Sequence, residues 1–249
     1  MKQVSQTLFN FIAGALLVLV IWYSCYLAMD INVLPNPFVV LLAVPSLFEQ
    51  GVMIHLYHSL FRVLCALVIS TVIGVLVGIL ASGSHVVSRI LTPFLYFTYP
   101  IPRVALLPAV LLIFGLTDTS KIMMITLIVI YPIIIVVRDS VKDIPKQTRN
   151  TLICYGASKV QMFWFVTLPW ALSSVLSTAR ISLGTAMSIL FFTEAYGARY
   201  GMGFLILDSW FRLNYVQMYA GVVILSVVGF MLFLIIDVIE NTVMRWKKA

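Results

Sequence analysis

The side chains that most often do chemistry in proteins are few in this sequence and lie far apart. The chain has three cysteines, an odd and unclustered set, so neither a disulfide framework nor a cysteine-based metal site is expected. Its three histidines have no carboxylate or cysteine at the spacing of a metal ligand. We therefore predict no metal site among Cys25, Cys65, Cys154, His55, His58 and His85.

Catalysis would need a nucleophile with its base, or two carboxylates within reach of each other. Neither a serine with a histidine nor a pair of aspartates falls within one apolar run of the sequence. The phosphate-binding pattern G-x-x-x-x-G-K-[ST] is also missing from the sequence. We expect a protein that is not an enzyme and that holds no cofactor in this chain.

Three charged residues stand near the ends of long apolar runs, where an ionisable group is costly and therefore informative: Arg103, Arg180 and Glu194. Each is a candidate for the wall or gate of a solute path. The alternatives are local. Glu194 can pair with Arg199 or water at the level of the lipid headgroups, and Arg180 can extend its guanidinium to the membrane surface.

The elements that must position these residues are membrane spans. Hydrophobic residues make up 62% of the chain and charged residues 10%, against roughly 25% charged residues in a soluble domain. A span needs about 20 apolar residues. The sequence predicts an all-α integral membrane protein with one domain, 1–249, and six transmembrane helices. The predicted spans are 9–29, 63–81, 103–115, 122–137, 170–192 and 216–236.

The distribution of lysine and arginine predicts the orientation, because short basic loops stay in the cytoplasm. With both termini inside, the inner segments hold ten such residues and the outer ones four. The inner residues are Lys2, Arg89, Arg138, Lys142, Lys146, Arg149, Lys159, Arg245, Lys247 and Lys248. The outer ones are Arg62, Lys121, Arg199 and Arg212. Anionic membrane lipids and this bias account for the net charge of +7 without a nucleic-acid partner.

Small residues recur at every fourth position of the second predicted span. In lipid, helices approach closely where such residues line one face. This row therefore predicts a packing face in the core of the bundle. The residues are Ala66, Ser70, Gly74, Gly78 and Ser82.

The long connection between the fourth and fifth spans, 138–167, reads as helix, glycine, helix. Asp143 and Pro145 suit the start of a helix, and Gly156 suits its left-handed end. Ser158 can cap a second helix that begins with Lys159. Such a segment either docks another protein at the cytoplasmic surface or lies on anionic lipid as an interfacial helix.

At Gly156, Val166, Leu168 and Pro169 this segment resembles the EAA motif of ABC importer permeases. Further matches follow the order of the nitrate, sulfonate, taurine and thiamine-precursor branch of that family. They are Leu34-Pro-Asn-Pro37, His58-Ser-Leu-Phe-Arg-Val63, Tyr99-Pro-Ile-Pro102, Leu106-Leu-Pro108, Phe114-Gly115, Leu183-Gly184, and Glu194 followed by Gly201-Met-Gly-Phe-Leu-Ile206.

The resemblance implies the bundle of a type I ABC importer and a coupling segment built from Asn150, Gly156, Ala157, Ser158, Lys159, Leu168 and Pro169. It also implies partners: ABC ATPase subunits that bind ATP, a second permease in a homodimer or heterodimer, and a periplasmic or lipid-anchored binding protein. One departure stands out, because Asn150-Thr-Leu152 replaces the Glu-Ala-Ala of the motif. The acidic residue of the family pattern is absent.

Two other classes remain as alternatives. A secondary transporter would show inverted repeats and charged residues near the span centres, and a polytopic membrane enzyme would show a catalytic cluster. Neither pattern is found in the sequence. The relatives of this branch carry small anionic or heterocyclic solutes, and the sequence does not select one of them.

Overall fold

The computed structural model describes residues 2–29 and 31–244, with side chains from residue 13 onward except that of residue 243. The regular structure of that region is helical, without a strand. The helices are α1 Lys2–Met29, α2 Pro37–Glu49, α3 Val52–Gly83, α4 His85–Thr98, α5 Leu107–Phe114, α6 Asp118–Lys142, α7 Lys146–Cys154, α8 Lys159–Met162, α9 Leu168–Ala195, α10 Met202–Phe211 and α11 Tyr215–Val243. A 3₁₀ turn at Arg103–Leu106 leads into α5, and a π-helical turn at Phe163–Thr167 leads into α9.

Four helices of the described region are long and apolar enough to cross a membrane: Val52–Gly83, Asp118–Lys142, Lys159–Ala195 and Tyr215–Thr242. The pair His85–Thr98 and Arg103–Phe114 adds a fifth if it forms one broken span. The structure thus supports four or five spans and does not establish six. The remaining predicted span, 9–29, lies on α1, and its first side chains, 9–12, lie outside the described residues.

The proline-rich stretch after α4 bends the chain instead of letting one straight helix cross. The two helical pieces meet at 87°. Proline lacks the N–H that continues a helix and disfavours helical geometry in the residue before it, so Pro100 and Pro102 separate α4 from the turn at Arg103. The predicted third span, 103–115, corresponds only to the second piece.

The centre of the bundle is formed by α3, α6 and α9. Its buried apolar side chains include Val63, Ile125, Val129, Val137 and Leu190. A β-carbon added to Gly74 would lie 2.6 Å from Cγ2 of Ile133, and one added to Gly78 would lie 2.7 Å from Cγ1 of Val137. The missing side chains on α3 are what allow α6 to approach.

The rest of the predicted small-residue row divides into two parts. Ala66 and Ser70 are fully buried, and the Ser70 hydroxyl donates to the Thr126 carbonyl of α6 at 3.5 Å. Ser82 is only half-buried and donates to the Ile79 carbonyl of its own helix at 2.8 Å. The face that packs against α6 therefore ends at Gly78.

A second apolar cluster joins α2, α3, α10 and α11 through Val40, Leu47, Val52, Met202 and Ala220. It fixes α10 beside the end of α9. That placement brings together charged residues at the end of the bundle opposite α7.

Candidate functional site

The segment between α6 and α9 consists of two short helices joined at a glycine. Gly156 has φ +78°, a left-handed conformation, directly after α7. Ser158 caps α8 reciprocally: its hydroxyl accepts from the Gln161 backbone N–H at 3.3 Å, and the side-chain Oε1 of Gln161 accepts from the Ser158 backbone N–H at 2.8 Å. The segment is therefore an ordered turn and not a loose tether.

One detail of the predicted start is wrong. Asp143 does not cap α7, because it ends α6, where its N–H donates to the Asp139 carbonyl at 3.0 Å. The N-terminal cap of α7 is Pro145, whose side chain offers no acceptor. Helix α6 runs to Lys142, five residues past the predicted end of the fourth span at 137.

Helix α7 is attached on one side and open on the other. It has no buried residue, and Asn150 is exposed. Arg149 donates to the Val141 carbonyl of α6 at 2.7 Å, and Leu152 packs on the central core. Tyr155, which follows α7, is 85% exposed.

The π-helical turn presents aromatic side chains beside this open surface. Trp164 and Phe165 are exposed, whereas Val166 is buried in the core. Lys159 is exposed, Ala157 is half-buried, and Leu168 and Pro169 open α9. These residues form a continuous stretch of chain that connects α7 to the central helix α9.

At the opposite end of the bundle, Glu194 is fully buried. Its carboxylate accepts from the Ser59 hydroxyl at 2.8 Å, from the Arg62 guanidinium at 2.6 Å and from the Gly203 N–H at 2.9 Å. The alternative in which Glu194 pairs with Arg199 at the headgroup level is wrong. Burial requires the carboxylate to find fixed donors, and these come from α3 and α10.

Arg62 is the centre of this network. Sequence analysis counted it among the outer loop charges, yet it lies in α3 and is 3% exposed. It binds Asp118 at the start of α6 at 2.6 Å and also donates to the Tyr200 carbonyl at 2.7 Å. One guanidinium therefore ties α3 to α6, to α9 and to the turn before α10.

Close backbone approach completes the network, which we call the outer charge cluster after the side that the charge distribution in the sequence predicts for it: Ser59, Arg62, Asp118, Glu194 and the backbone from Tyr200 to Gly203. A β-carbon on Gly203 would lie 2.6 Å from the Phe191 carbonyl oxygen, and one on Gly201 would collide with the Glu194 carboxylate. Lys121, also buried, donates only to carbonyls, including that of Gly197 at 3.3 Å.

The other two predicted path residues have partners of their own. Arg180 forms ion pairs with Asp237 and Glu240 of α11. It stands at one end of a largely apolar groove of about 790 Å³ between α9 and α11. The guanidinium of Arg103 lies 3.8 Å from the ring centre of Tyr131 on α6, a cation–π contact.

The chain is therefore a bundle of apolar helices with one exposed helical segment, α7 and α8, which connects the central helices α6 and α9. Residues 70–245 match the family model described as "Binding-protein-dependent transport system inner membrane component". The chain belongs to this family. Its members are transport permeases of the inner membrane, and the several apolar helices fit a multi-pass membrane protein.

Curated members of the permease family match most of this chain. The taurine transport system permease protein of Escherichia coli (strain K12) is 32% identical over 192 residues, 77% of this chain and 70% of that protein. The formylaminopyrimidine transport permease protein of Halalkalibacterium halodurans is 29% identical over 94% of each chain. A putative aliphatic sulfonates transport permease protein of Bacillus subtilis (strain 168) is 27% identical over 88% of this chain and 79% of that protein.

A solved permease has the same fold. A chain of the MetNI methionine ABC transporter, in an inward-facing conformation, superposes with a TM-score of 0.59 at 21% identity, covering 81% of this chain and 99% of that one. The fold is thus that of a type I ABC importer permease, as the sequence predicted.

Sequence reasoning missed Ser59, Arg62 and Asp118 as members of a site. The signal was present in the family-like segments around Ser59 and Gly201, but nothing in one sequence pairs residues so far apart. Within the described residues, no three His, Cys, Asp or Glu side chains are grouped to hold a metal ion.

Proposed function

We propose that this chain forms the solute path of an ABC importer and is driven by a separate ATPase subunit that docks on α7 and the turn at Gly156. One observation carries the proposal: α7 has no buried residue, yet it connects α6 and α9, the two helices that with α3 make the core. Membership in the permease family supports it independently.

The connection is short enough to transmit movement. Arg149 fixes α7 to the last turn of α6, and the capped helix α8 runs through the π-helical turn into α9. A partner that pulls α7 must therefore shift both core helices relative to α3. Alternating access then needs only two arrangements of these helices, one favoured by ATP bound to the partner.

The partners follow from the family description and from charge. "Binding-protein-dependent" indicates a solute-binding protein, periplasmic or lipid-anchored, that meets the outer end of the chain. A second permease, identical or different, would close the path. Helix α7 carries Lys146 and Arg149 and no acidic residue, so we propose that its ATPase presents an acidic groove. The Asn150-Thr-Leu152 departure from Glu-Ala-Ala fits such a partner.

The orientation follows the same logic. We propose that α7, both chain termini and the ATPase lie on the cytoplasmic side of the inner membrane, and that the outer charge cluster faces the binding protein. Lys2, Arg245, Lys247 and Lys248 contribute to the charge bias that supports this orientation, although their side chains lie outside the described residues.

The path residues are proposed in two roles. Glu194, held by Arg62, acts as part of an outer gate whose closed form is the cluster described above. Arg180 and Arg103 lie on α9 and before α5, where they would contact a passing anion only after leaving Glu240 or Tyr131.

The proposed solute is a small anionic or heterocyclic molecule, because the matching relatives are named for taurine, aliphatic sulfonates, formylaminopyrimidine and nitrate. The complete transporter, reconstituted in vesicles, is offered each of these four solutes with and without ATP. ATP-dependent uptake of one of them identifies the substrate and supplies the assay for the coupling test.

The coupling test replaces Gly156 with valine. A β-branched residue is strained at φ +78°, so the turn must change shape although no neighbouring atom lies within 4 Å of the added β-carbon. We expect uptake and the uptake-linked ATP hydrolysis to fall at least about tenfold, with membrane insertion unchanged.

Gly51→Val is the matched control. Gly51 has φ +86° and equally open surroundings, but it lies between α2 and α3, at the other end of the bundle. It carries the same backbone strain and should keep the ATPase coupled. Normal uptake by the Gly156→Val transporter would remove this turn from the mechanism. Uptake by the purified chain without any ATPase would instead support a secondary transporter.

A further inference from the structure

A polar pocket of about 680 Å³ lies where α3 ends, α4 begins and α6 ends. Its lining combines basic side chains with hydroxyl groups and contains no acidic residue. The residues are Ser82, Gly83, Ser84, His85, Ser88, Arg89, Thr92, Pro93 and Lys142. It lies at the same end of the bundle as α7, far from the outer charge cluster.

Helix α4 is amphipathic across this pocket. Ser84, at its N-cap, and then Ser88 and Thr92 follow at intervals of four, so their hydroxyls share the face toward the pocket. Two residues on from each, about 200° around the helix, stand Val86, Ile90 and Phe94, which are 68%, 69% and 53% exposed. A helix with this division suits the boundary between acyl chains and headgroups.

The positive charges of the pocket are available for a ligand. Among the described residues, Arg89 and His85 have no hydrogen-bond or ion-pair partner, and Lys142 contacts only the Ser88 hydroxyl, at 3.3 Å. The nearby acid Asp139 is already engaged by Arg138 at 2.8 Å. The first turn of α4 adds backbone N–H groups at the rim, which also favour an anion.

We propose that this pocket binds the phosphate group of an anionic phospholipid at the membrane surface on the α7 side. The planar guanidinium of Arg89 suits two phosphate oxygens, Lys142 supplies a second charge, and the hydroxyls of Ser84 and Ser88 donate to the remaining oxygens. The acyl chains would lie along Val86, Ile90 and Phe94. The site does not depend on which solute the transporter carries, or on its coupling to an ATPase.

The test measures binding directly. The full chain is placed in phosphatidylcholine nanodiscs with or without phosphatidylglycerol, and amide hydrogen exchange is followed across 84–92. Phosphatidylglycerol should slow exchange there and not across 202–211. We expect Arg89→Gln to weaken this effect about fivefold in lipid concentration, and Arg89→Gln with Lys142→Gln about thirtyfold.

Arg212→Gln is the control, because it removes an exposed charge at the other end of the bundle and should leave protection of 84–92 unchanged. Inorganic phosphate added to phosphatidylcholine nanodiscs separates the two sources of the group. Protection by phosphatidylglycerol alone supports the proposal, whereas equal protection by inorganic phosphate would overturn the lipid assignment in favour of a phosphate site filled from solution. No protection by either, or protection that survives the double substitution, would overturn the proposal.

Discussion

At the scale of single residues, the outer charge cluster is the most demanding arrangement in the chain. A buried carboxylate is tolerated only where it is paired and hydrogen-bonded, and Glu194 meets this condition with partners from three parts of the chain. Arg62 is shared between two acids. Loss of Arg62 would leave the buried Glu194 carboxylate without its ion-pair partner.

Glu194→Gln is expected to destabilise the protein strongly. The amide keeps the shape but removes one of the two charges that Arg62 faces; because Asp118 still pairs with Arg62, we expect a loss of about 3 kcal/mol, the low end for breaking a buried pair from one side. The midpoint of heat unfolding in detergent should fall clearly.

Glu49→Gln makes the same chemical change at an exposed residue at the end of α2, and should alter the free energy of unfolding by no more than about 0.5 kcal/mol. Equal midpoints for the two variants would mean that the Arg62 interaction adds nothing to stability.

Glu194 could be singled out from the sequence as a candidate site residue, but its hydrogen-bonding partners could not be predicted. A carboxylate next to an apolar run is visible in one sequence, whereas Arg62 lies 132 positions away and looks like an ordinary basic residue before a span. Only the folded chain brings their atoms to 2.6 Å. Arg180 is similar, because its partners Asp237 and Glu240 come from the last helix.

At the scale of helices, local signals were the most informative. The interval-of-four row on α3, the glycine after α7 and the cap of α8 are all short-range patterns, and each has a direct physical reading. The bend of 87° between α4 and α5 was not predicted, because prolines tell where a helix stops and not at what angle the next one starts.

Gly78→Ala tests the contact between α3 and α6. The added methyl would lie 2.7 Å from Cγ1 of Val137 and 3.0 Å from the Ile134 carbonyl oxygen, so the helices must separate. We expect a loss of about 1–3 kcal/mol in the free energy of unfolding.

Adding Val137→Ala to this variant should not restore stability, because alanine at this position keeps the Cβ that would lie 2.8 Å from the added methyl and leaves space in the buried core. Gly83→Ala, on the same helix with no atom within 4 Å, should be close to neutral. If all three proteins unfold alike, the close approach of α3 and α6 does not contribute to stability.

At the scale of the whole molecule, composition alone indicated a helical membrane protein, and family membership gives it a transporter's architecture. The number of spans was harder to predict. Apolar length cannot distinguish one broken span from a re-entrant pair, and the structure supports four or five. The proposed orientation, with α7 on the cytoplasmic side, depends on the distribution of lysine and arginine over the loops.

Cys154 offers a test of that placement, since it is exposed at the end of α7. In a chain expressed without an ATPase, with Cys25→Ala and Cys65→Ala, an impermeant maleimide should label inverted membrane vesicles and leave intact spheroplasts unlabelled. The reason is that α7 is expected on the cytoplasmic side.

Arg212→Cys, with all three native cysteines changed to alanine, reports the opposite side. The side chain of Arg212 is 72% exposed between α10 and α11, so the maleimide should reach it only in spheroplasts. The reverse pattern for the two chains would invert the proposed orientation.

The outer charge cluster also sets the order in which the chain can be completed during synthesis. Arg62 enters the membrane with α3, and Asp118 is added only 56 residues later, with Glu194 following 132 residues after Arg62. Until then the guanidinium on α3 lacks the acids that pair with it in the folded chain, and an ionisable group without a partner is costly in or near a membrane. Nascent chains that stop before α6 therefore hold Arg62 without either of its acids, and chains that stop before the end of α9 hold it with Asp118 alone.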